Sequence, residues 1–161
     1  LLFSGVAGAI NPSLKIGDLV VATKLAQHDL DISAFGHPYG YVPGGSVYIE
    51  TDKALTEVAK RVAHAQGKAI LEGIIATGDQ FICDEAKKTW IGTTFNADAL
   101  EMEGASVAVV CDALHTPFCI LRAISDAADM DAGFSFDTFL ETAAKESAAL
   151  MIGIMDALAN D

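Results

Sequence analysis

Leu100-Glu101-Met102-Glu103-Gly104-Ala105-Ser106-Val107-Ala108-Val109-Val110, followed soon by Arg122-Ala123-Ile124-Ser125-Asp126, is the stretch from which the fold can be read. Two carboxylates flank a methionine where an apolar strand pattern turns into a helical one. The small residues Gly104, Ala105 and Ser106 let the first helical turn approach a neighbouring backbone or a ligand closely. Charged residues at such junctions in α/β folds lie outside the carboxyl ends of the strands, where ligands bind. Glu103 is placed at or beside a helix N-terminus, where the dipole stabilises its charge. It reads equally as an ordinary N-terminal helix carboxylate. A second strand end, Ser125-Asp126, favours the ligand-binding alternative.

Outward from this stretch the chain alternates strands and helices. Leu1-Leu2-Phe3 reads as a strand running into a small-residue turn, Ser4-Gly5-Val6-Ala7-Gly8-Ala9-Ile10, either with glycines at positive φ or with N–H groups brought close to a ligand. Lys15-Ile16-Gly17-Asp18 turns into a buried strand, Leu19-Val20-Val21-Ala22-Thr23. Thr51 or Asp52 caps a helix to Gln66, with Leu55, Val58, Ala59, Val62 and Ala65 on one face and Gly67 as its stop. Residues 69–77 form the next strand and end in Gly78-Asp79-Gln80-Phe81-Ile82. Residues 84–89 form a short helix, 99–102 a strand and 103–115 a helix. Residues 118–124 form a central strand interrupted by Arg122. Ser135 is expected to cap a long helix to about Ala159, with Phe136, Phe139, Leu140, Ala143, Ser147, Leu150, Ile154 and Leu158 as its core stripe. The pattern is one α/β domain over residues 1–161, with a mixed, mostly parallel sheet flanked by helices.

Composition narrows the function. The 161 residues are 52% hydrophobic and 20% charged, which suits a packed globular core. A formal net charge of −12 disfavours nucleic acid and anionic membrane surfaces as partners. Cys83, Cys111 and Cys119 have no metal-ligand spacing, and their odd number favours reduced thiols in a cytoplasmic setting. No apolar run reaches the length of a membrane span and no signal peptide is visible. The chain lacks an initiator methionine and opens in what reads as the end of a strand, so a fragment is expected.

Residues 27–46 form a long irregular segment rich in Gly and Pro, carrying His28, His37, Phe35, Tyr39 and Tyr41. A segment of this kind is a lid, an interface or a loop folded on its own domain. His28-Asp29 invites a metal or triad reading, but no third ligand stands at suitable spacing. Glu101 and Arg122 interrupt apolar strands shortly before their ends. A lone buried charge costs several kcal/mol whereas a hydrogen-bonded pair offsets much of this, so on neighbouring strands the two pair beneath the site; the alternative is that both reach solvent at opposite ends of the sheet.

Taken together, Gly5-Val6-Ala7-Gly8, Lys15-Ile16-Gly17-Asp18, His28-Asp29 with Ala34-Phe35-Gly36, Gly78-Asp79-Gln80-Phe81-Ile82, Glu101-Met102-Glu103, Arg122-Ala123-Ile124-Ser125-Asp126 with Asp129, and Ser135-Phe136-Asp137 resemble the 5′-methylthioadenosine/S-adenosylhomocysteine nucleosidases of the purine nucleoside phosphorylase superfamily. The match covers the later, larger part of a family chain. The resemblance implies a nucleoside phosphorylase-like fold, truncated at its N-terminus, and hydrolysis of the N-glycosidic bond of an adenine nucleoside in methionine salvage. No cofactor or metal is implied.

By the same resemblance Phe81 stacks on adenine and Ile82 meets the base edge through its backbone. Met102 lies against the ribose, Glu103 accepts from its hydroxyls, and Gly8 lies near the attacking water. Asp126, held by Ser125, protonates adenine N7, while Phe136 lines the 5′-substituent pocket. Ile32 and Phe35 close the partner's pocket in a homodimer. The chain departs from the family at Val6, where serine is frequent. Phe3 and Val6 also replace the arginine and serine with which phosphorylase relatives hold phosphate, which favours water as nucleophile. The family's base for water belongs to the N-terminal segment. A nucleosidase or phosphorylase for another purine nucleoside, and a non-catalytic nucleoside-binding protein, remain the alternatives.

Overall fold

The computed structural model describes residues 1–129 and 132–160, without the side chains of Ala132 and Phe134. Among these residues six strands, β1 (Leu2–Ala9), β2 (Leu19–Gln27), β3 (Tyr48–Glu50), β4 (Ile70–Thr77), β5 (Ala99–Glu101) and β6 (Cys119–Asp126), form one sheet in the order β3-β2-β4-β5-β1-β6. The helices are α1 (Lys53–Ala65), α2 (Glu85–Phe95), α3 (Gly104–Ala113) and α4 (Ala132–Asn160). The long pairings, β2 with β4 and β1 with β6, are parallel; those of β5 with β1 and of β3 with β2 are short and antiparallel. One edge of β2 is shared. β3 pairs with its C-terminal half, and β6 pairs antiparallel with Leu19, Val20 and Val21, closing the sheet on itself.

Side-chain alternation sorts the core into two faces. Leu19, Val21, Leu121 and Ala123 meet Ala59, Val62 and Ala63 of α1 and Ala143, Leu150 and Ile154 of α4. Val20, Ala22, Ile120 and Ile124 meet Ala105, Ala108 and Cys111 of α3. A third cluster, including Ala26, Ala76, Ile82, Ile91, Phe95 and Leu100, ties α2 to the ends of β2, β4 and β5.

Several boundaries differ from the sequence expectation, each for a physical reason. The glycine-rich stretch after Phe3 is strand, not turn: β1 continues to Ala9, and neither Gly5 nor Gly8 has positive φ. Both glycines serve close approach. A Cβ on Gly5 would lie 2.8 Å from the Arg122 guanidinium, and one on Gly8 would lie 2.7 Å from Asp126 Oδ1. Of the two candidate caps for α1, Asp52 accepts from Leu55 N at 2.8 Å, while Thr51 donates to Ala22 O at 2.6 Å. Gly67 follows with φ +70° and donates to His64 O. Helix α2 runs past Thr89 to Phe95 because Ile91 and Phe95 are buried, and Asn96 ends it in the left-handed region. Strand β3 is an unexpected edge strand inside an otherwise irregular stretch. Ser135 lies within α4, which begins at Ala132, so it is not the cap. The stripe of α4 is buried at Ala143, Ser147, Leu150 and Ile154, whereas Phe139, Leu140 and Leu158 are exposed. No described helix is long and apolar enough to cross a membrane.

Candidate active site

The carboxyl ends of β1, β4, β5 and β6 and the first turns of α4 surround a cavity of about 210 Å³. Gly8, Phe81, Ile82, Met102, Glu103, Ser125, Asp126 and Phe136 all line it, so four strand ends and a distant helix bring these sequence candidates together. Gln80 and Glu101 line it as well; Gln80 had no assigned role, although it stands inside the Gly78-Asp79-Gln80-Phe81-Ile82 motif.

Asp126 is aimed by an irregularity. Along β1 and β6 the register runs Ala7 to Ile124 and then Gly8 to Asp126, skipping Ser125. A bulge of this kind bends a strand and redirects its side chains, and bulges recur beside active sites. The Asp126 carboxylate, 4% exposed, accepts from Ser125 Oγ at 2.9 Å and from Ala128 N at 2.8 Å. Both oxygens are thus held, and the absence of a side chain at Gly8 leaves the approach to Oδ1 open.

Glu103 stands at the N-cap of α3 and makes no capping bond with its own side chain. Its carboxylate is mostly exposed and lies 3.7 Å from Arg122 Nη2. Behind it is the expected ion pair. Arg122 Nε donates to Glu101 Oε2 at 3.1 Å and Nη2 contacts the same oxygen, with both side chains buried. The two strands are not neighbours, however. β1 lies between them, and Arg122 passes Gly5 to reach Glu101. The Phe3 ring lies 4.6 Å from the guanidinium, a cation–π contact.

The apolar wall is formed by Phe81, 49% exposed, which meets Phe136 edge to face at 5.9 Å. The Ile82 side chain packs into the core with Ile91, Phe95 and Leu100, anchoring the 80–82 loop from below. Ile32 and Phe35 do not reach this cavity. Phe35 sits on a 3-10 turn (Ser33–Phe35) and is 82% exposed. Nearby, the buried His28 has no hydrogen-bond partner at either ring nitrogen among the described residues, and burial holds its pKa below the usual imidazole value. Its ring packs on Gly78, where a Cβ would lie 2.4 Å from it. Among the described residues no three His, Cys, Asp or Glu side chains cluster as a metal site.

Comparison with known proteins identifies the family of the chain. The family model described as the phosphorylase superfamily matches residues 1–156. The chain is 59% identical over 158 residues to the aminodeoxyfutalosine nucleosidase of Campylobacter jejuni, covering 98% of this chain and 69% of that protein. It is 43% identical to the 5′-methylthioadenosine/S-adenosylhomocysteine nucleosidase of Geobacillus kaustophilus, covering 96% and 67%. It superposes with a TM-score of 0.95, at 50% identity, on an aspartate-to-asparagine variant of the Helicobacter pylori nucleosidase with 5′-methylthioadenosine in the active site, covering 97% of this chain and 68% of that one. On the extent of the family match and the identity to these nucleosidases, the chain belongs to the phosphorylase superfamily.

Proposed function

We propose that the cavity binds an adenine nucleoside carrying a 5′-substituent, and that the protein hydrolyses its N-glycosidic bond, with 5′-methylthioadenosine and S-adenosylhomocysteine as substrates. The observation that carries the reading is the bulge-aimed Asp126, buried and held at both oxygens, facing the same cavity as Glu103. Adenine stacks on Phe81 with its edge at the Ile82 backbone, and Asp126 delivers a proton to N7 as the bond breaks. Met102 and Glu103 take the ribose. The Glu103 carboxylate accepts from the hydroxyls and favours the positive charge that develops on the sugar. Water attacks from the Gly8 side, and Phe136 bounds the 5′-substituent. The names of the relatives support both this substrate pair and aminodeoxyfutalosine as a further 5′-substituted nucleoside.

Water rather than phosphate as nucleophile is supported by Phe3, whose ring is engaged with Arg122 where phosphorylase relatives carry a phosphate-binding arginine. The reading extends to a cytoplasmic homodimer in methionine salvage. The exposed Phe35, with Ile32, closes the 5′-substituent pocket of the partner. The test is adenine release by the complete protein from 5′-methylthioadenosine, S-adenosylhomocysteine and aminodeoxyfutalosine, with and without phosphate. Release that is independent of phosphate is the expected result. Release that requires phosphate, or tight binding without release, overturns the hydrolase reading.

A further inference from the structure

We propose that Thr77 and Glu101 are positioning residues that cap α3 from behind and thereby keep the Glu103 carboxylate free for the ribose. An N-cap side chain ordinarily accepts from the first free N–H groups of its helix. Glu103 holds the N-cap position and does not. Its work is taken over by two buried residues at paired positions on β4 and β5. Glu101 accepts from Glu103 N at 3.2 Å and from Gly104 N at 2.9 and 2.8 Å through its two oxygens. Thr77 Oγ1 accepts from Ala105 N at 2.8 Å and donates its one proton to Glu101 Oε1. Gly104 permits this closeness, since a Cβ there would lie 2.9 Å from Glu101 Oε1.

The Thr77 hydroxyl therefore has a single orientation, and it sets that of Glu101. Glu101 in turn holds Arg122, whose Nη2 also lies 3.7 Å from the Glu103 carboxylate, so the guanidinium is shared between the two glutamates. Loss of the Thr77 hydroxyl leaves the Ala105 N–H without its acceptor and Glu101 Oε1 with the Gly104 N–H as its remaining donor. The N-cap side chain, Glu103, is the ordinary acceptor for an N–H at this position, turning back to cap its own helix. A Glu103 carboxylate turned inward no longer faces the cavity.

The inference rests on the reading of Glu103 as the acceptor of ribose hydroxyls, and its test separates the two. The complete protein and its Thr77→Val and Thr77→Ser variants are assayed for adenine release from 5′-methylthioadenosine and from the 3′-deoxy analogue, with thermal melts alongside. The unaltered protein is expected to favour the hydroxyl-bearing substrate in kcat/KM. Thr77→Val should reduce that preference by about tenfold or more, the range of a hydrogen bond to a charged group. Thr77→Ser should restore it. A merely structural role lowers activity on both substrates alike and leaves the preference unchanged, and that result overturns the proposal alone. No adenine release by the unaltered protein overturns the functional reading and this proposal with it. Should Thr77→Val melt below the assay temperature, Thr77→Cys is measured on the same substrate pair with the same two outcomes.

Discussion

The floor of the cavity and the 27–46 segment, which approach each other where His28 packs on Gly78, are opposite in construction. On the floor, Glu101, Arg122, Thr77, Ser125 and Asp126 are buried, and each is hydrogen-bonded within the chain. In the segment, Phe35 is 82% exposed, and His28 is buried with neither ring nitrogen bonded among the described residues. Buried polar groups are ordinarily paired, and large exposed aromatics beside a pocket mark interfaces. The difference teaches where specificity of geometry is built and where it is left open. The floor is determined by one chain, whereas the segment presents surface that one chain does not cover.

Removing a group from the floor should have the largest effects. Asp126→Asn keeps the shape and the bond from Ala128 N but cannot deliver the proton. Adenine release should fall by about 10²–10⁴-fold while binding of a non-hydrolysed nucleoside analogue is retained. Steady-state rates and calorimetric titration of the same preparation decide it. Near-normal turnover with asparagine would remove Asp126 from the role of acid.

The ion pair comes next. Glu101→Gln leaves the buried Arg122 with the exposed Glu103 carboxylate, 3.7 Å away, as its nearest counter-charge, and breaking a buried pair from one side costs about 3–5 kcal/mol. Urea unfolding of Glu101→Gln, Arg122→Met and the double variant should show strong coupling, the double losing less than the sum of the singles. Additive losses would mean that the contact between Glu101 and Arg122 carries no energy of its own.

Apart from Thr77, these floor residues were legible in the sequence because each stands at a break in an apolar pattern. Glu101 and Arg122 interrupt strands, and Ser125-Asp126 and Glu103 follow strand ends. The eight residues that the family resemblance assigns to this chain's own cavity all line it. What was not legible depends on contacts between strands far apart in sequence. Glycines 5 and 8 signalled a turn because glycine tolerates positive φ, yet their use is to admit Arg122 and Asp126. The path of Arg122 across β1, the bulge at Ser125 and the closure of β2 on β6 follow from register, which local pattern does not encode. Thr77 carries no signal of its own: a threonine ending a strand is ordinary, and only its pairing with Glu101 gives it work.

The segment should yield smaller effects, and of a different kind. Phe35→Ala removes an aromatic that touches little within its own chain. Monomer stability should change by less than about 0.5 kcal/mol, as for an ordinary surface substitution. If the segment covers a second copy, light scattering should show weakened dimerisation, and KM for 5′-methylthioadenosine should rise with kcat less affected. A monomeric unaltered protein, or one whose association and KM ignore Phe35→Ala, would return the segment to a loop of its own domain.

The smallest expected effect is the pH dependence that His28 imposes. Burial is the main cause of its lowered pKa, helped by Lys87 and opposed by Asp29 and Glu101. In the folded state the imidazole therefore resists protonation, while in the unfolded chain it titrates near 6.5. Above that value both states hold neutral His28 and its contribution is fully present. As pH falls below 6.5 the unfolded chain binds the proton first, so stability declines towards the lower folded pKa, by at most about 1.4 kcal/mol per pH unit for one group. His28→Phe supplies a ring that needs neither a partner nor a proton. The difference in unfolding free energy between the unaltered protein and this variant should narrow or reverse as pH drops from 7 to 5. A constant difference over that range would mean that the folded protein supplies His28 with a partner in solution, and the contrast between a saturated floor and an unsatisfied segment would then fail at this residue.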